Sequence, residues 1–237
     1  MSKMKTILID LDGTLLHMDL ELFAKYYFGT IIKKFNEEFK VDNFKDALFK
    51  STGAMIENDG SMSNEDKFWN VFESLSGFTK EETFDFFDEF YKLDFDITKN
   101  ATSKTPYAKE LIDNLLEKGH DIIVATNPMF PSIATHKRVK WAGLDPKVFK
   151  EITTYENYSY CKPNTMYYQE ILDKFNLKAE ECIMIGNDMD EDFIAKNLGI
   201  DICIVTDNLI NRNNKEIEDV LFKGTLKELV DFTKNKA

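Results

Sequence analysis

The sequence predicts an α/β fold in which a doubly wound, mostly parallel sheet is interrupted near its start by a helical insertion. From about residue 103 onward, short apolar runs alternate with segments whose apolar residues recur at helical spacing. Residues 17–100 carry almost no strand pattern and show helical periodicity instead. Alternating apolar strands and helices are typical of a parallel sheet covered on both faces. The 237 residues, 43% of them hydrophobic, suffice for one large domain or a domain with an insert.

The first predicted strand is the apolar run Ile7–Ile9, which ends in an acidic turn containing Asp10, Asp12 and Gly13. Carboxylates this close disfavour joint ionisation, so a cation or a proton must compensate for them. Mg²⁺ is the natural cation, because it binds one or two carboxylates together with water and phosphate oxygens. The turn therefore predicts a phosphoryl-transfer site with an aspartate nucleophile. A Ca²⁺ loop or a plain acidic turn is the alternative, although the mostly apolar stretch Thr14–Met18 argues against an EF-hand.

The insertion is predicted as a series of helices whose aromatic residues form its own core. Ser63 followed by Asp66 is typical of a helix N-terminus, and Thr79 followed by Glu82 fits a capping box. The predicted domain boundaries are 17–100 for the insertion, with 1–16 and 101–237 together forming the catalytic core.

The remaining elements alternate along the core sequence. Apolar runs mark its strands, and several of its helices end at a glycine. The predicted strands are 121–126, 152–154, 182–185 and 202–205, and the predicted helices are 107–118, 132–141, 164–175, 190–198 and 225–232.

Polar residues follow the predicted strands at the points where the strands end. Thr126 and Asn127 follow one strand, Lys162 follows the next, and Asp188 and Asp192 follow a third. Ligands of such sheets bind beyond the carboxyl ends of the strands. Taken singly, each residue could be a helix cap, part of a surface turn or a solvated acidic helix start. Their occurrence at successive strand ends, together with the first acidic turn, favours one shared site.

Phosphoryl transfer provides a role for each of these residues. Asp10 would attack phosphorus, and Asp12 would protonate the leaving oxygen and then deprotonate the attacking water. Thr126 and Asn127 would bind phosphate oxygens, helped by backbone N–H groups at a helix start. Lys162 would supply positive charge to the phosphate and to Asp10.

The same reasoning predicts a Mg²⁺ site at this edge of the sheet. Its candidate ligands are Asp10, Asp12 and Asp188, with a main-chain carbonyl completing the protein's share. Asp192 lies one helical turn after Asp188, so it is either an alternative ligand or a residue that supports the ligands from behind.

These motifs closely resemble those of the haloacid dehalogenase (HAD) superfamily, along nearly the whole chain. The motifs of that family correspond in order to Asp10–Thr14, Thr126, Lys162, and Gly186–Asp188 with Asp192. The resemblance implies a Rossmann-like core, Mg²⁺-dependent phosphatase chemistry through an aspartyl-phosphate, and an insertion that is a helical cap of the C1 type. Many members have Gly-Asp where this chain has Gly-Asn followed by Asp188, which makes Asp188 the expected metal ligand.

The resemblance leaves more than one reaction open. Asp12 favours phosphate chemistry, since the dehalogenases of the superfamily lack that residue. A phosphatase acting on a small phosphorylated metabolite is the first expectation. A phosphomutase with the same catalytic residues is the alternative, as is a non-catalytic regulator that binds a phosphometabolite. Specificity is expected from the loop 53–60 and from the helix that begins near Leu20.

Composition excludes several classes of partner. The net charge of −12 opposes binding to DNA or RNA. An odd number of cysteines, Cys161, Cys182 and Cys203, indicates reduced thiols and a cytoplasmic location. We expect no membrane association, because no apolar segment has the length of a signal peptide or a membrane span.

Overall fold

The computed structural model describes residues 5–235, and its centre is a six-stranded sheet. A separate pair of short strands, β2 and β3, stands apart from that sheet. In chain order the strands are β1 (Thr6–Ile9), β2 (Leu16–Met18), β3 (Thr102–Lys104), β4 (Asp121–Val124), β5 (Glu151–Ile152), β6 (Cys182–Gly186), β7 (Asp201–Val205) and β8 (Phe222–Gly224).

The six strands run parallel in the order β5-β4-β1-β6-β7-β8, which confirms the predicted fold class. The first strand is central: Ile9 lies opposite Val124 on one side and Ile185 on the other. Its four residues are all buried, as expected of a strand covered on both faces. Because β1, β4 and β6 are neighbours and parallel, their carboxyl ends meet at one place on the sheet edge.

Within residues 5–235, eight α-helices accompany the strands, four of them in the insertion and four in the core. They are α1 (Leu20–Phe39), α2 (Phe44–Ile56), α3 (Asn64–Ser76), α4 (Lys80–Lys92), α5 (Pro106–Glu117), α6 (Ser132–Trp141), α7 (Thr165–Lys174) and α8 (Leu226–Asn235). Short 3₁₀ helices span Asp94–Ala101, Pro146–Val148, Ala179–Glu181 and Phe193–Leu198.

Both predicted helix starts in the insertion are present. The Ser63 side chain accepts a hydrogen bond from the backbone N–H of Asp66 and begins α3. Thr79 and Glu82 form a reciprocal capping box at the start of α4. These caps depend on neighbours three residues apart, which is why the sequence alone could predict them.

The predicted helix 190–198 is wrong in its first three residues. Residues 190–192 form a turn, and only Phe193–Leu198 is helical, as a 3₁₀ helix. The Asp188 carboxylate accepts hydrogen bonds from the N–H groups of Asp190 and Glu191, at 2.7 and 3.0 Å. Side-chain acceptors thus engage backbone donors here and stabilise a tight loop in place of a regular helix.

A two-stranded antiparallel ribbon joins the insertion to the rest of the chain. In it, Leu16 pairs with Lys104 and Met18 pairs with Thr102. The sequence did not predict this ribbon, because each strand has three residues and its partner lies far along the chain. The ribbon brings the entry and the exit of the insertion together beside the end of β1.

Aromatic rings fill the insertion and continue into its contact with the core. Phe35 stacks on Phe44 with ring centroids 3.8 Å apart, and both are completely buried. Phe23 and Tyr27 of α1 contact the ring of Phe130, which belongs to the core. Their ring centroids lie 6.0 and 5.2 Å from the centroid of Phe130. The insertion therefore packs directly against the loop after β4.

In residues 5–235, every helix is too short or too polar to cross a membrane.

Candidate active site

Asp10 lies at the carboxyl end of the central strand and is only 7% exposed. Its backbone N–H donates to the carbonyl of Ile185, at 2.9 Å, which continues the pairing between β1 and β6 by one residue. The chain then turns at Gly13, whose φ of +91° is costly for any residue with a Cβ. A Cβ there would also lie 2.4 Å from Nδ2 of Asn187. This turn holds the Asp10 carboxylate at the sheet edge.

Lys162 joins two of the predicted acidic residues. Its ammonium lies 3.0 Å from Oδ1 of Asp10 and 2.6 Å from Oδ1 of Asp192, and the side chain is 1% exposed. Asn127 fixes the Lys162 backbone from both sides, accepting from its N–H at 3.2 Å and donating to its carbonyl at 3.3 Å. The structure therefore brings these residues together although they are far apart in sequence.

The charges of this cluster shift one another's protonation. Burial, with a smaller contribution from the nearby carboxylates of Asp192 and Asp12, raises the pKa of Asp10 to about 8, although Lys162 opposes the shift. Burial alone would lower the pKa of Lys162, but the carboxylates of Asp10 and Asp192 raise it well above its ordinary value. Lys162 is consequently a permanent cation, and Asp10 is a carboxyl group that a further cation would help to ionise.

Asp12 pairs with a residue that the sequence analysis missed. Its Oδ2 accepts a hydrogen bond from Nη1 of Arg138, a side chain in α6 that is 3% exposed. The guanidinium also lies 4.9 Å from the ring centre of Phe130. The other oxygen of Asp12, Oδ1, is buried without a hydrogen-bond partner among the described residues. Arg138 follows Lys137 and precedes Val139 in a basic stretch of α6. Such a stretch ordinarily lies on a solvent-exposed face of a helix, so the sequence did not indicate that Arg138 is buried.

Asp188 and Asp192 have different surroundings. Oδ2 of Asp188 accepts a hydrogen bond from Arg212 at 2.9 Å. Arg212 is a second arginine that the sequence did not indicate as part of the site. Oδ2 of Asp192 accepts from the backbone N–H groups of Asn187 and Asp188, both at 2.9 Å, and its Oδ1 faces Lys162. Both oxygens of Asp192 are thus engaged in holding Lys162 and the loop that carries Asp188.

Thr14 and Thr126 complete the polar floor. The Thr14 hydroxyl lies 2.9 Å from Oδ1 of Asn187 and 3.4 Å from Oδ2 of Asp10. Thr126 is 3% exposed at the end of β4, and its carbonyl accepts from the hydroxyl of Tyr167 at 3.0 Å. The bonds of Thr14 connect the turn after β1 to the loop after β6, and the bond of Thr126 connects the end of β4 to α7.

A cavity of about 290 Å³ opens above this surface. The insertion forms its other wall, while Lys162 lies behind the floor, bonded to Asp10 and Asp192. The predicted site residues that line the cavity are Asp10, Asp12, Thr126, Asn127, Asp188 and Asp192.

The carboxylates of the cavity suit a Mg²⁺ ion held by two of them. Among residues 5–235, no three His, Cys, Asp or Glu side chains gather into a metal site, so Asp12 does not join Asp10 and Asp188 in a three-carboxylate cluster. Mg²⁺ does not require one, because it retains waters and binds substrate phosphate beside one or two carboxylates. Asp10 and Asp188 line the same cavity, and the raised pKa of Asp10 marks a place where added positive charge would be favourable.

Comparison with known proteins identifies the family. The sequence model of the haloacid dehalogenase-like hydrolases matches residues 4–199. The chain belongs to this family. The resemblance to this family that the motifs indicated is therefore confirmed.

Two curated archaeal relatives of this HAD-like hydrolase are glyceraldehyde 3-phosphate phosphatases. The protein from Methanocaldococcus jannaschii is 32% identical over 98 residues, covering 39% of this chain and 41% of the relative. The protein from Methanothermobacter thermautotrophicus is 25% identical over 114 residues, covering 48% and 49%. The chain thus matches less than half the length of either relative.

Solved HAD structures share the fold over almost the whole chain. A HAD phosphatase from Thermococcus onnurineus superposes with a TM-score of 0.57 at 18% identity, covering 97% of each chain. The YfnB protein of Bacillus subtilis, whose structure contains magnesium, superposes with a TM-score of 0.55 at 20% identity, covering 98% of this chain and all of that one. At such identities the likeness shows the fold alone.

Proposed function

We propose that this HAD-like hydrolase is a Mg²⁺-dependent phosphatase that hydrolyses a small phosphomonoester through an aspartyl-phosphate on Asp10. One observation carries the proposal: a buried carboxylate, Asp10, lies on the cavity floor 3.0 Å from the buried cation Lys162. The named activity of the two archaeal relatives supports phosphate chemistry.

The proposed reaction has two steps. In the first, an oxygen of Asp10 attacks phosphorus, the bond to the substrate oxygen breaks, and Asp12 donates a proton to the leaving alkoxide. In the second, Asp12 takes a proton from a water molecule that attacks the aspartyl-phosphate. This attack releases inorganic phosphate and restores the Asp10 carboxylate. Proton transfer of this kind contributes about 10²–10⁴ in rate.

The remaining site residues would bind and orient the phosphate. Thr126 and Asn127 are proposed to bind its oxygens, while Lys162 would supply positive charge to the phosphate and to Asp10 from behind the floor. Asp10 and Asp188 would hold Mg²⁺, which when bound reduces the repulsion between the carboxylate and the phosphate. Asp192 is proposed as a positioning residue, because its two oxygens are engaged by the buried Lys162 and by backbone N–H groups. Oδ2 of Asp188, in contrast, is paired with Arg212, a half-exposed side chain that a metal ion could displace.

The proposed domain division follows from the same geometry. Residues 1–16 and 101–237 would form the catalytic core, and 17–100 would form a C1-type cap. The ribbon of β2 and β3 and the aromatic contacts to Phe130 support a module that covers the cavity. Closure of such a module would exclude water from the site.

The deciding experiment measures phosphate release from a panel of small phosphomonoesters, with Mg²⁺ and with EDTA. The wild-type protein is compared with Asp10→Asn and with Asp121→Asn, a matched control that removes an exposed carboxylate at the start of β4. We expect Mg²⁺-dependent turnover that Asp10→Asn lowers by about 10³-fold or more, as for other nucleophiles, and that the control retains.

Two outcomes would contradict the proposal. Turnover that survives Asp10→Asn would exclude Asp10 as the nucleophile. Absence of phosphate release from every ester, by a folded protein in excess Mg²⁺, would exclude the phosphatase activity itself.

A further inference from the structure

The wall that the insertion presents to the active-site cavity is almost entirely apolar. The cavity-facing residues of this wall come from the first strand of the ribbon, from α1 and from α2, and among them only a tyrosine and a threonine carry polar atoms. They are Met18, Leu20, Phe23, Ala24, Tyr27, Phe28 and Thr52. Within the described chain, the insertion contributes no charged side chain to the cavity.

The two polar side chains of this wall already have partners inside the insertion. The Tyr27 hydroxyl is 2.8 Å from the hydroxyl of Tyr91. The Thr52 hydroxyl donates to the carbonyl of Leu48 at 2.9 Å. Each of these hydroxyls therefore already makes a hydrogen bond within the insertion, so neither is left unpaired for a hydroxyl group of the substrate.

The core side of the cavity is divided between charge and apolar surface. The charged side chains of the cavity all belong to the core, where the phosphate is expected, and they include Arg138 and Arg212. Further apolar lining comes from Met129, Phe130 and Ile210. A bound phosphomonoester would therefore place its phosphate among charged groups and its alcohol part against hydrocarbon.

A second cavity adjoins the first and has a mixed lining. It has a volume of about 220 Å³ and shares Tyr27, Thr52 and Met129 with the first. Aromatic rings, among them Phe68 and Phe87, line it on the side of the insertion, together with the charged side chains of Glu65, Lys80, Asp88 and Glu156. The uniformly apolar wall is therefore a feature of the first cavity alone.

We infer that the substrate is a phosphomonoester of an apolar alcohol, alkyl or aryl in character, and not a polyhydroxylated sugar phosphate. The inference rests on the proposed phosphatase function. Transfer of a hydroxyl group from water to a site without a new hydrogen bond is unfavourable in free energy, whereas transfer of a methylene group from water to an apolar site is favourable. With this wall, hydroxyl groups on the alcohol part weaken binding and methylene groups strengthen it.

A series of alkyl phosphates tests the inference. Propyl phosphate and glycerol 1-phosphate have the same three-carbon length and similar leaving groups, and they differ in two hydroxyls. We expect kcat/KM for propyl phosphate to exceed that for glycerol 1-phosphate at least tenfold. This ratio corresponds to the free-energy cost of about one hydroxyl group left without a hydrogen bond. From methyl to hexyl phosphate, we expect kcat/KM to rise about fourfold for each added methylene.

Leu20 provides a variant that should not disturb folding. This residue lines the cavity at the start of α1, yet it is 48% exposed. We expect Leu20→Asn to lower kcat/KM for hexyl phosphate by about threefold or more, and by a clearly larger factor than for methyl phosphate. Leu93→Asn, which alters a 64% exposed residue that lines neither cavity, should change neither substrate.

Binding to the Asp10→Asn protein separates this inference from the proposed function. Calorimetry in excess Mg²⁺ compares hexyl phosphate with glucitol 6-phosphate, a polyol phosphate of the same chain length. Tighter binding of hexyl phosphate supports the inference, even if the wild-type protein released no phosphate and the proposed function failed. Equal or tighter binding of glucitol 6-phosphate, or equal or faster turnover of glycerol 1-phosphate, overturns the inference and leaves the phosphatase proposal in place.

Discussion

Lys162 is the residue on which the charge balance of the site depends. It is buried between Asp10 and Asp192, and a buried cation in this position costs desolvation energy that only its two close partners offset. The same pairing keeps two carboxylates from standing unneutralised inside the protein. Stability and the proposed catalysis therefore depend on one ammonium group.

Removal of this cation should be strongly destabilising. We expect Lys162→Met to lower the free energy of unfolding by about 3–5 kcal/mol, because it leaves buried carboxylates without their partner. The loss should be smaller in an Asp10→Asn background, where one of the two carboxylates is already neutral. Urea unfolding of the four proteins of this double-mutant cycle provides the measurement.

A surface lysine serves as the control for that cycle. Lys150 pairs with Asp121 at 2.6 Å, but both side chains are exposed. Lys150→Met should change the free energy of unfolding by less than about 1 kcal/mol. An equally small effect of Lys162→Met would show that the buried pairs contribute no more than a surface ion pair.

At the scale of elements, the turn after β1 is the most constrained connection of the site. Gly13 has a left-handed backbone and lies against Asn187, which is buried and held by Thr14 and by the carbonyl of Asn208. Gly77, the C-cap of α3, has a similar φ of +80° but open space around its Cα. A comparison of alanine substitutions at the two glycines therefore separates the cost of the left-handed backbone from the cost of a steric clash at the new Cβ.

We expect Gly13→Ala to be the more costly of the two alanine substitutions. Gly77→Ala should cost about 1 kcal/mol for the left-handed conformation alone. Gly13→Ala should cost about 1–3 kcal/mol more, because the new methyl group must displace Asn187, and it should also lower kcat. Thermal unfolding and phosphate release measure both effects. Equal stabilities would mean that Asn187 moves aside freely.

Gly13 also shows how far sequence reasoning reached at this scale. The Asp-x-Asp-Gly turn was predictable because its residues are adjacent in the chain. The ribbon of β2 and β3 was not, since its hydrogen bonds join residues on either side of the whole insertion. The helix predicted at 190–198 begins only at Phe193, as a 3₁₀ helix, because the Asp188 carboxylate engages the backbone donors of Asp190 and Glu191.

At the scale of the whole molecule, the proposed metal site links distant parts of the chain. Asp10 directly follows the first strand and Asp188 lies in the loop after β6, so a shared Mg²⁺ would bind the folded chain and not the unfolded one. Such binding stabilises the fold by about 2.7 kcal/mol at a free Mg²⁺ concentration of 100 Kd. For a chain of this size, the corresponding rise in Tm is about 5–10 °C.

Thermal unfolding with Mg²⁺ and with EDTA tests this link without an activity assay. We expect the Mg²⁺-dependent rise in Tm for the wild-type protein and for Asp121→Asn, and its loss in Asp188→Asn. The rise should saturate with Mg²⁺ concentration, as binding to one site requires. An undiminished rise in Asp188→Asn would exclude Asp188 as a ligand.

Sequence patterns were enough to predict the fold class, the helical insertion and most of the polar residues at the strand ends. These features depend on periodicity, caps and adjacent residues, which are local properties of a chain. Tertiary structure alone decided that Lys162 joins Asp10 to Asp192, that Arg138 faces Asp12, and that an apolar wall covers the site. The physical reason is that burial and charge pairing arise between segments far apart in sequence, and no local pattern specifies which of them meet.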